Sequence, residues 1–214
     1  MSLNDSTVLV AGARTPFGRL LGGLKSLSGA ELGAIAIREA IDRSGIAATE
    51  IDYVIMGQVV QAGAGQNPAR QASVGAGIPM HVPSITINKV CLSGLDAIAL
   101  ADQLIRAGEH EIIVAGGMES MSNGPHYFPR SREGAKYGDW ALKDSVANDA
   151  LTCAFDQLAM GQSTETFNAK YELTREQQDE YSVHSHMRSH AATQSGALAA
   201  EIVPVEVNIG KGKF

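Results

Sequence analysis

Cysteine is scarce in this sequence: only Cys91 and Cys153 occur among 214 residues, far apart and without a CxxC pair. That spacing excludes a disulfide framework and a thiolate zinc site, and it leaves a free thiol available for chemistry. A basic excess is missing too. The net charge is -6 and no basic stripe runs along the chain, so nothing here neutralises a phosphate backbone and nucleic acid is excluded as a partner. No apolar run approaches spanning length. Residues Met1 to Ser6 carry neither the basic region nor the apolar core of a secretory leader, and the expectation is a cytoplasmic protein with no membrane partner. What remains is ordinary: 44% hydrophobic and 19% charged residues, enough for one or two domains with a real core.

The first half alternates short β-branched runs with helical patterns. Thr7 to Val10 reads as a strand. Ser28 with Glu31 three residues on forms a capping box, and Leu32, Ile35, Ala36, Ala40 and Ile41 recur at helical spacing before Gly45 as a left-handed stop. A strand at Tyr53 to Met56 leads through a glycine-rich turn to Asn67-Pro68, an N-cap followed by proline at the first helical position, with Gly77 closing that helix. A third strand, Ser84 to Ile87, precedes Asn88-Lys89-Val90-Cys91 and a helix with Leu95, Ile98, Ala99, Leu104 and Ile105, ending near Gly108. This helix is nearly continuously apolar, and the pattern predicts it to be the most buried. A fourth strand follows at Ile112 to Ala115. The β-α-β order implies an α/β fold with a parallel or mixed sheet and helices on its faces.

After Met118 periodicity is lost as far as about Met160, too long a stretch for a plain connector. A second capping box, Thr174 with Gln177, opens a helix expected to run to Gln194 before Gly196. A possible strand at Ile202 to Val207 leads into Gly-Lys-Gly-Lys-Phe, an ending that closes no element and reads as a fragment.

Cys91 lies at a strand-to-helix turn, with Ser93 and Gly94 just beyond it. A sulfur at the positive end of the following helix is favoured as thiolate, the form that accepts acyl groups. On position alone the residue is equally readable as a small buried hydrophobe. The glycines of Ala62 to Arg70 miss the GxGxxG spacing and follow the wrong strand for a dinucleotide fingerprint. His184, His186 and His190 invite a metal reading, but His184 points away from the other two and no HExxH pattern is present, so a solvated helix face is expected. Arg130, Arg132 and Lys136 cluster with Tyr127, Phe128 and Tyr137, either as phosphate or subunit contacts or as plain surface.

Asn88-Lys89-Val90-Cys91-Leu92-Ser93-Gly94-Leu95-Asp96-Ala97-Ile98 resembles the nucleophile signature of the thiolase family. Other blocks resemble the family in the same order: Arg14-Thr15-Pro16-Phe17-Gly18 with Gly22-Gly23-Leu24, then Gly57 through Ala72, then Ala115-Gly116-Gly117-Met118-Glu119-Ser120-Met121-Ser122. The likeness is dense to Ser122 and looser afterwards. It implies a mixed sheet with helices on both faces, the N-terminal half of a layered αβαβα architecture, plus a loop domain. The division it implies is a core half with the nucleophile over 1–121 and an incomplete loop domain over 122–214, with the C-terminal half absent.

By the same resemblance Cys91 is the catalytic acyl carrier, joining or cleaving 3-ketoacyl-CoA in a two-step exchange. The family's activating histidine and second cysteine belong to its C-terminal half, and this chain shows neither block, so the chain alone is expected to be inactive. Cys153 lacks the glycine context of that second cysteine and is given a packing role. Ala159 and Met160 match the segment that borders the acyl-CoA pocket in relatives, although many biosynthetic members carry histidine where Ala159 stands, and Ser163-Thr164-Glu165-Thr166 departs from the usual Thr-Ala-Glu-Asn. Met160 is equally readable as a core methionine filling a gap. No cofactor and no metal are implied; acyl-CoA and CoA are substrates, and a homodimer or homotetramer is expected. The alternatives are a ketoacyl-synthase-like condensing enzyme and a non-catalytic structural or interaction fragment.

Overall fold

The alternation of helical and β periods between Ser28 and Gly117 closes on itself as a parallel sheet flanked by helices. The computed structural model describes residues 6–134 and 136–207. Its main sheet has three strands, β1 (Tyr53–Gly57), β2 (Ser84–Ile87) and β3 (Ile113–Gly117), in the order β2-β1-β3 with both pairings parallel. α1 (Gly29–Ser44) precedes β1, and the crossovers are α2 (Pro68–Gly75) from β1 to β2 and α3 (Ser93–Arg106) from β2 to β3.

Successive side chains of a strand point to opposite faces, and β1 uses both. Val54 and Met56 pack with Ala34, Ile37 and Ile41 of α1 and Ala69 and Ala72 of α2. Ile55 packs with Ala97 and Ala101 of α3. Val54 and Ile55 are wholly buried, each worth about 1.5–3 kcal/mol against exposure. Helices therefore cover both faces, as the α/β reading expected.

The caps read from sequence are present. Ser28 and Glu31 make the reciprocal capping box of α1, and Gly45 ends it at φ 70°. The Asn67 side chain accepts from the Arg70 amide at the start of α2. Thr174 and Gln177 box the start of α5 (Arg175–Gln194).

Three expectations fail. Thr7 to Val10 belongs to no ladder, and Val8, Leu9 and Val10 lie exposed. Ile202 to Val207 likewise forms no strand, only an isolated parallel bridge between Ile202 and Arg14. β-branched residues favour a pleated surface but do not make a strand without a continuous partner edge, and the pairing of Arg14 with Ile202 does not extend into a ladder. The third failure is α3. Only Ser93, Ala97 and Ala101 of this helix are buried, while Leu95 and Ile98 stand exposed, because the sheet covers one face of the helix and no described element covers the other. The Gly-Lys-Gly-Lys-Phe ending lies outside the described residues.

The aperiodic stretch contains a two-stranded antiparallel ribbon, β4 (His126–Tyr127) with β5 (Lys143–Asp144), and a π-helical turn at Ala147–Leu151. It ends at a helix the periodicity did not predict, α4 (Met160–Lys170). Among the described residues no helix is long and apolar enough to cross a membrane.

Candidate active site

Ligands of open parallel sheets bind beyond the carboxyl ends of the strands, and a cleft lies there. It measures about 670 Å³ and is bordered by Gly57 at the end of β1 and Gln58 after it, Cys91 after β2, and Met118 and Glu119 after β3. The last ladder contacts run from the Gln58 amide to the Ile87 carbonyl (3.0 Å) and from the Met118 amide to the Gly57 carbonyl (2.9 Å). Beyond them the three chains separate.

Three glycines let α3 press onto this end of the sheet. A Cβ on Gly57 would sit 2.4 Å from the Ser93 carbonyl carbon and 2.6 Å from the Ser93 Cβ, and one on Gly117 would sit 3.1 Å from the Gly94 Cα. Only glycine permits so close a backbone approach. It brings the first turn of α3, and with it Cys91, to the mouth of the sheet.

The turn carrying Cys91 is held by its own side chains. Asn88 Oδ1 accepts from the Val90 amide (2.9 Å), an Asx turn. Ser93 Oγ accepts from the Lys89 amide (2.8 Å) and donates to the Val90 carbonyl (2.6 Å). Lys89 Nζ pairs with Asp96 one turn into α3. Val90 sits at φ 49°, an outlier for a β-branched residue of the kind that persists only when its surroundings over-determine it. Cys91 itself is exposed, so the buried-hydrophobe reading of this residue does not hold.

The titratable side chains lining the cleft are Arg14, Arg19, Cys91 and Glu119. Glu119 Oε2 accepts from the Val59 amide (2.9 Å) and the Val60 amide (3.1 Å), while its Oε1 is buried with no partner. Sequence reasoning passed over Glu119 and Gln58 as components of longer blocks. Nothing local marks Glu119, whose partners lie in the loop after β1, while the Gln58 side chain donates to the Val60 carbonyl two residues on.

Ala150 and Leu151 border the cleft on the side of the π-helical turn; Ala159 and Met160 are not in its lining. They adjoin it through a short hairpin in which Ala159 pairs antiparallel with Thr152, the residue after Leu151. Met160 is half-exposed at the start of α4 rather than a core gap-filler. Cys153 lies in that hairpin, its amide donating to the Leu158 carbonyl (2.8 Å), and it is absent from the cleft lining.

The remaining candidates stand apart from the cleft. His184, His186 and His190 lie exposed on α5, and among the described residues no three His, Cys, Asp or Glu side chains gather where they could hold one ion. Arg130 pairs with Glu133, and Phe128 stacks on Trp140 at 4.3 Å. Burial and the neighbouring Asp149 raise the phenol of Tyr127 above its ordinary value.

Comparison with known proteins gives a consistent match. The family model described as thiolase, N-terminal domain, covers residues 7–214. A probable acetyl-CoA acetyltransferase of Mycolicibacterium smegmatis is 57% identical over 96% of this chain and 53% of its own length. A cytosolic acetyl-CoA acetyltransferase of Gibberella zeae is 50% identical over 96% of this chain and 52% of its own. An acetyl-CoA acetyltransferase of Cupriavidus necator is 47% identical over 96% and 52%. The chain thus spans about half the length of the curated relatives it matches.

Proposed function

Starting from the fact that this chain belongs to the thiolase family, matching its N-terminal domain over residues 7–214, we propose that it carries the acyl-accepting part of an acetyl-CoA acetyltransferase, with Cys91 as nucleophile. The observation that carries this reading is the placement of Cys91, exposed on a braced turn two residues ahead of α3 and at the mouth of a cleft of about 670 Å³. A thiol just ahead of a helix N-terminus lies toward the positive end of the helix dipole, a setting suited to an acyl acceptor.

In the thiolytic direction the Cys91 sulfur attacks the 3-keto carbon of a 3-ketoacyl-CoA. The C2–C3 bond breaks, and the departing carbanion takes a proton to leave as acetyl-CoA. The thiol of a second CoA then attacks the acyl-cysteine and releases the shortened acyl-CoA with the Cys91 sulfur restored. Condensation is the reverse. Such a covalent relay gives ping-pong kinetics. The described cleft residues include no imidazole, so the proton-transfer groups are read as lying outside them, and the 214-residue chain alone is read as incapable of turnover. No cofactor enters this scheme; acyl-CoA and CoA are the reactants, and association as a homodimer or homotetramer belongs to the same proposal.

Ala159 and Met160 are proposed to border the acyl group, supported by the hairpin that ties them to Leu151 at the cleft edge. Residues 1–121 are proposed as the core half and 122–214 as a loop domain, supported by a core drawn almost wholly from the first segment.

The test is acetoacetyl-CoA thiolysis by the full-length gene product beside its Cys91→Ser variant. The variant should lose at least about a thousandfold in kcat, the scale on which removing a covalent nucleophile is felt. Acetyl-CoA alone should leave an acetyl group on the peptide containing Cys91. Unchanged thiolysis in the variant would sink the assignment.

A further inference from the structure

We propose that Glu119 is a positioning residue for the Cys91 turn, acting through the backbone of Val59 and the side chain of Asn88. The inference rests on the reading of Cys91 as acyl acceptor and names a residue that sets how the sulfur is presented.

Glu119 and Cys91 follow opposite edge strands of the sheet, β3 and β2, with the loop after β1 between them. Past the last ladder bonds, the links among these three loops come from side chains. Glu119 Oε2 accepts from both the Val59 and Val60 amides. The carbonyl of the same Val59 accepts from Asn88 Nδ2 (3.2 Å), and Asn88 Oδ1 accepts from the Val90 amide (2.9 Å). One continuous run of hydrogen bonds therefore joins the carboxylate to the residue preceding the nucleophile.

Its strength is uneven in an informative way. A charge-assisted acceptor shared by two amides is the firmest link, and it fixes the Val59 peptide from which Asn88 takes its orientation. Asn88 then holds Val90 at φ 49°, a conformation valine leaves when released. Glu119 has no other described use for its carboxylate: Oε1 is buried without a partner, an arrangement that costs free energy and is offset by the two amides. Ser93 braces the same turn from the α3 side, so losing Glu119 should loosen the presentation of Cys91 rather than unfold it.

The experiment is iodoacetamide labelling of the full-length gene product without acyl-CoA, read at Cys91 and Cys153 by peptide mass, in wild type, Glu119→Ala, Glu119→Gln, Asn88→Ala and the double alanine variant. Glu119→Ala and Asn88→Ala should each slow labelling of Cys91 by about fivefold, the factor one net hydrogen bond carries, with labelling of Cys153 held. The double variant should be no slower than Asn88→Ala, because both changes cut one path. Glu119→Gln keeps an acceptor oxygen and should stay within about twofold of wild type. An unchanged Cys91 rate in a folded Glu119→Ala protein overturns the proposal, as does additivity in the double variant. Should Glu119→Ala fail to fold, exposed Asn88 decides: an unchanged rate in Asn88→Ala overturns it equally. These rates are independent of any acyl transfer, so they can fail while Cys91 stands as acyl acceptor, and survive if it falls.

Discussion

Val90 is where the site holds its clearest local strain. A valine at φ 49° pays the left-handed penalty that asparagine largely avoids. Val90→Asn should therefore raise stability by about 1 kcal/mol in urea unfolding, with labelling of Cys91 unchanged because the turn keeps its shape; a destabilised variant would show that the conformation is not strained. The strand-to-helix turn that carries Cys91 was legible in the sequence because its setting is local, a strand end, a serine and a glycine leading into a helix, whereas the acyl role proposed for Cys91 came from the family resemblance. The Asx turn of Asn88 is just as local but went unread, because nothing in the residue order marks Val90 as left-handed. Glu119 was not legible either, for its partners Val59 and Val60 lie some sixty residues back, and only the strand order β2-β1-β3 brings them together. No periodicity encodes that order.

Among the elements, the packing of α3 on the sheet is fixed by Gly57. Gly57→Ala places a Cβ inside the Ser93 backbone, and such overpacking should cost about 1–3 kcal/mol in chemical unfolding and displace the turn carrying Cys91. A neutral effect would mean that α3 can move away freely. At the opposite end of the sheet, Asp52 joins the entry of β1 to that of β3: its carboxylate accepts from the amides of Ile112 (2.9 Å) and Glu111 (2.8 Å). Those bonds, Ile112 first, hold its pKa below the ordinary 3.8. A group depressed in the folded state lends stability above its unfolded pKa and loses it as pH falls through the folded value. The stability advantage of wild type over Asp52→Ala should thus be full at neutral pH and shrink on acidification below about 3.8; a constant difference in urea midpoint across that range would refute the clamp. Helix starts were the most legible elements, because a capping box is written within four residues. The exposed face of α3 was misjudged since an apolar helix reports what it is able to bury, not what covers it. Strands at Thr7 and Ile202 were overcalled for the matching reason, propensity without a partner.

Across the whole molecule, burial divides the chain unevenly. Among the described residues beyond 121 the buried side chains are Ser145 and Ala150, and neither α4 nor α5 buries a residue. The core sits instead between Leu32 and Met118. Helices of this length owe most of their stability in water to packing of an apolar face rather than to propensity, and α5 presents Tyr181, Val183 and Met187 to solvent. Local opening free energy follows buried contact, so the two segments should differ in amide exchange. In hydrogen-exchange mass spectrometry of the full-length gene product, β1 and the facing turns of α1 and α2 should be among the last to exchange. The α5 amides should go orders of magnitude sooner despite their good capping box, because a cap fixes where a helix begins and does little to keep it closed. That contrast is what a core half over 1–121 and a loop domain over 122–214 require. Equal protection in α5 and β1 would mean that the open face of α5 is covered in the full-length product, and the division at residue 121 would then have to be given up.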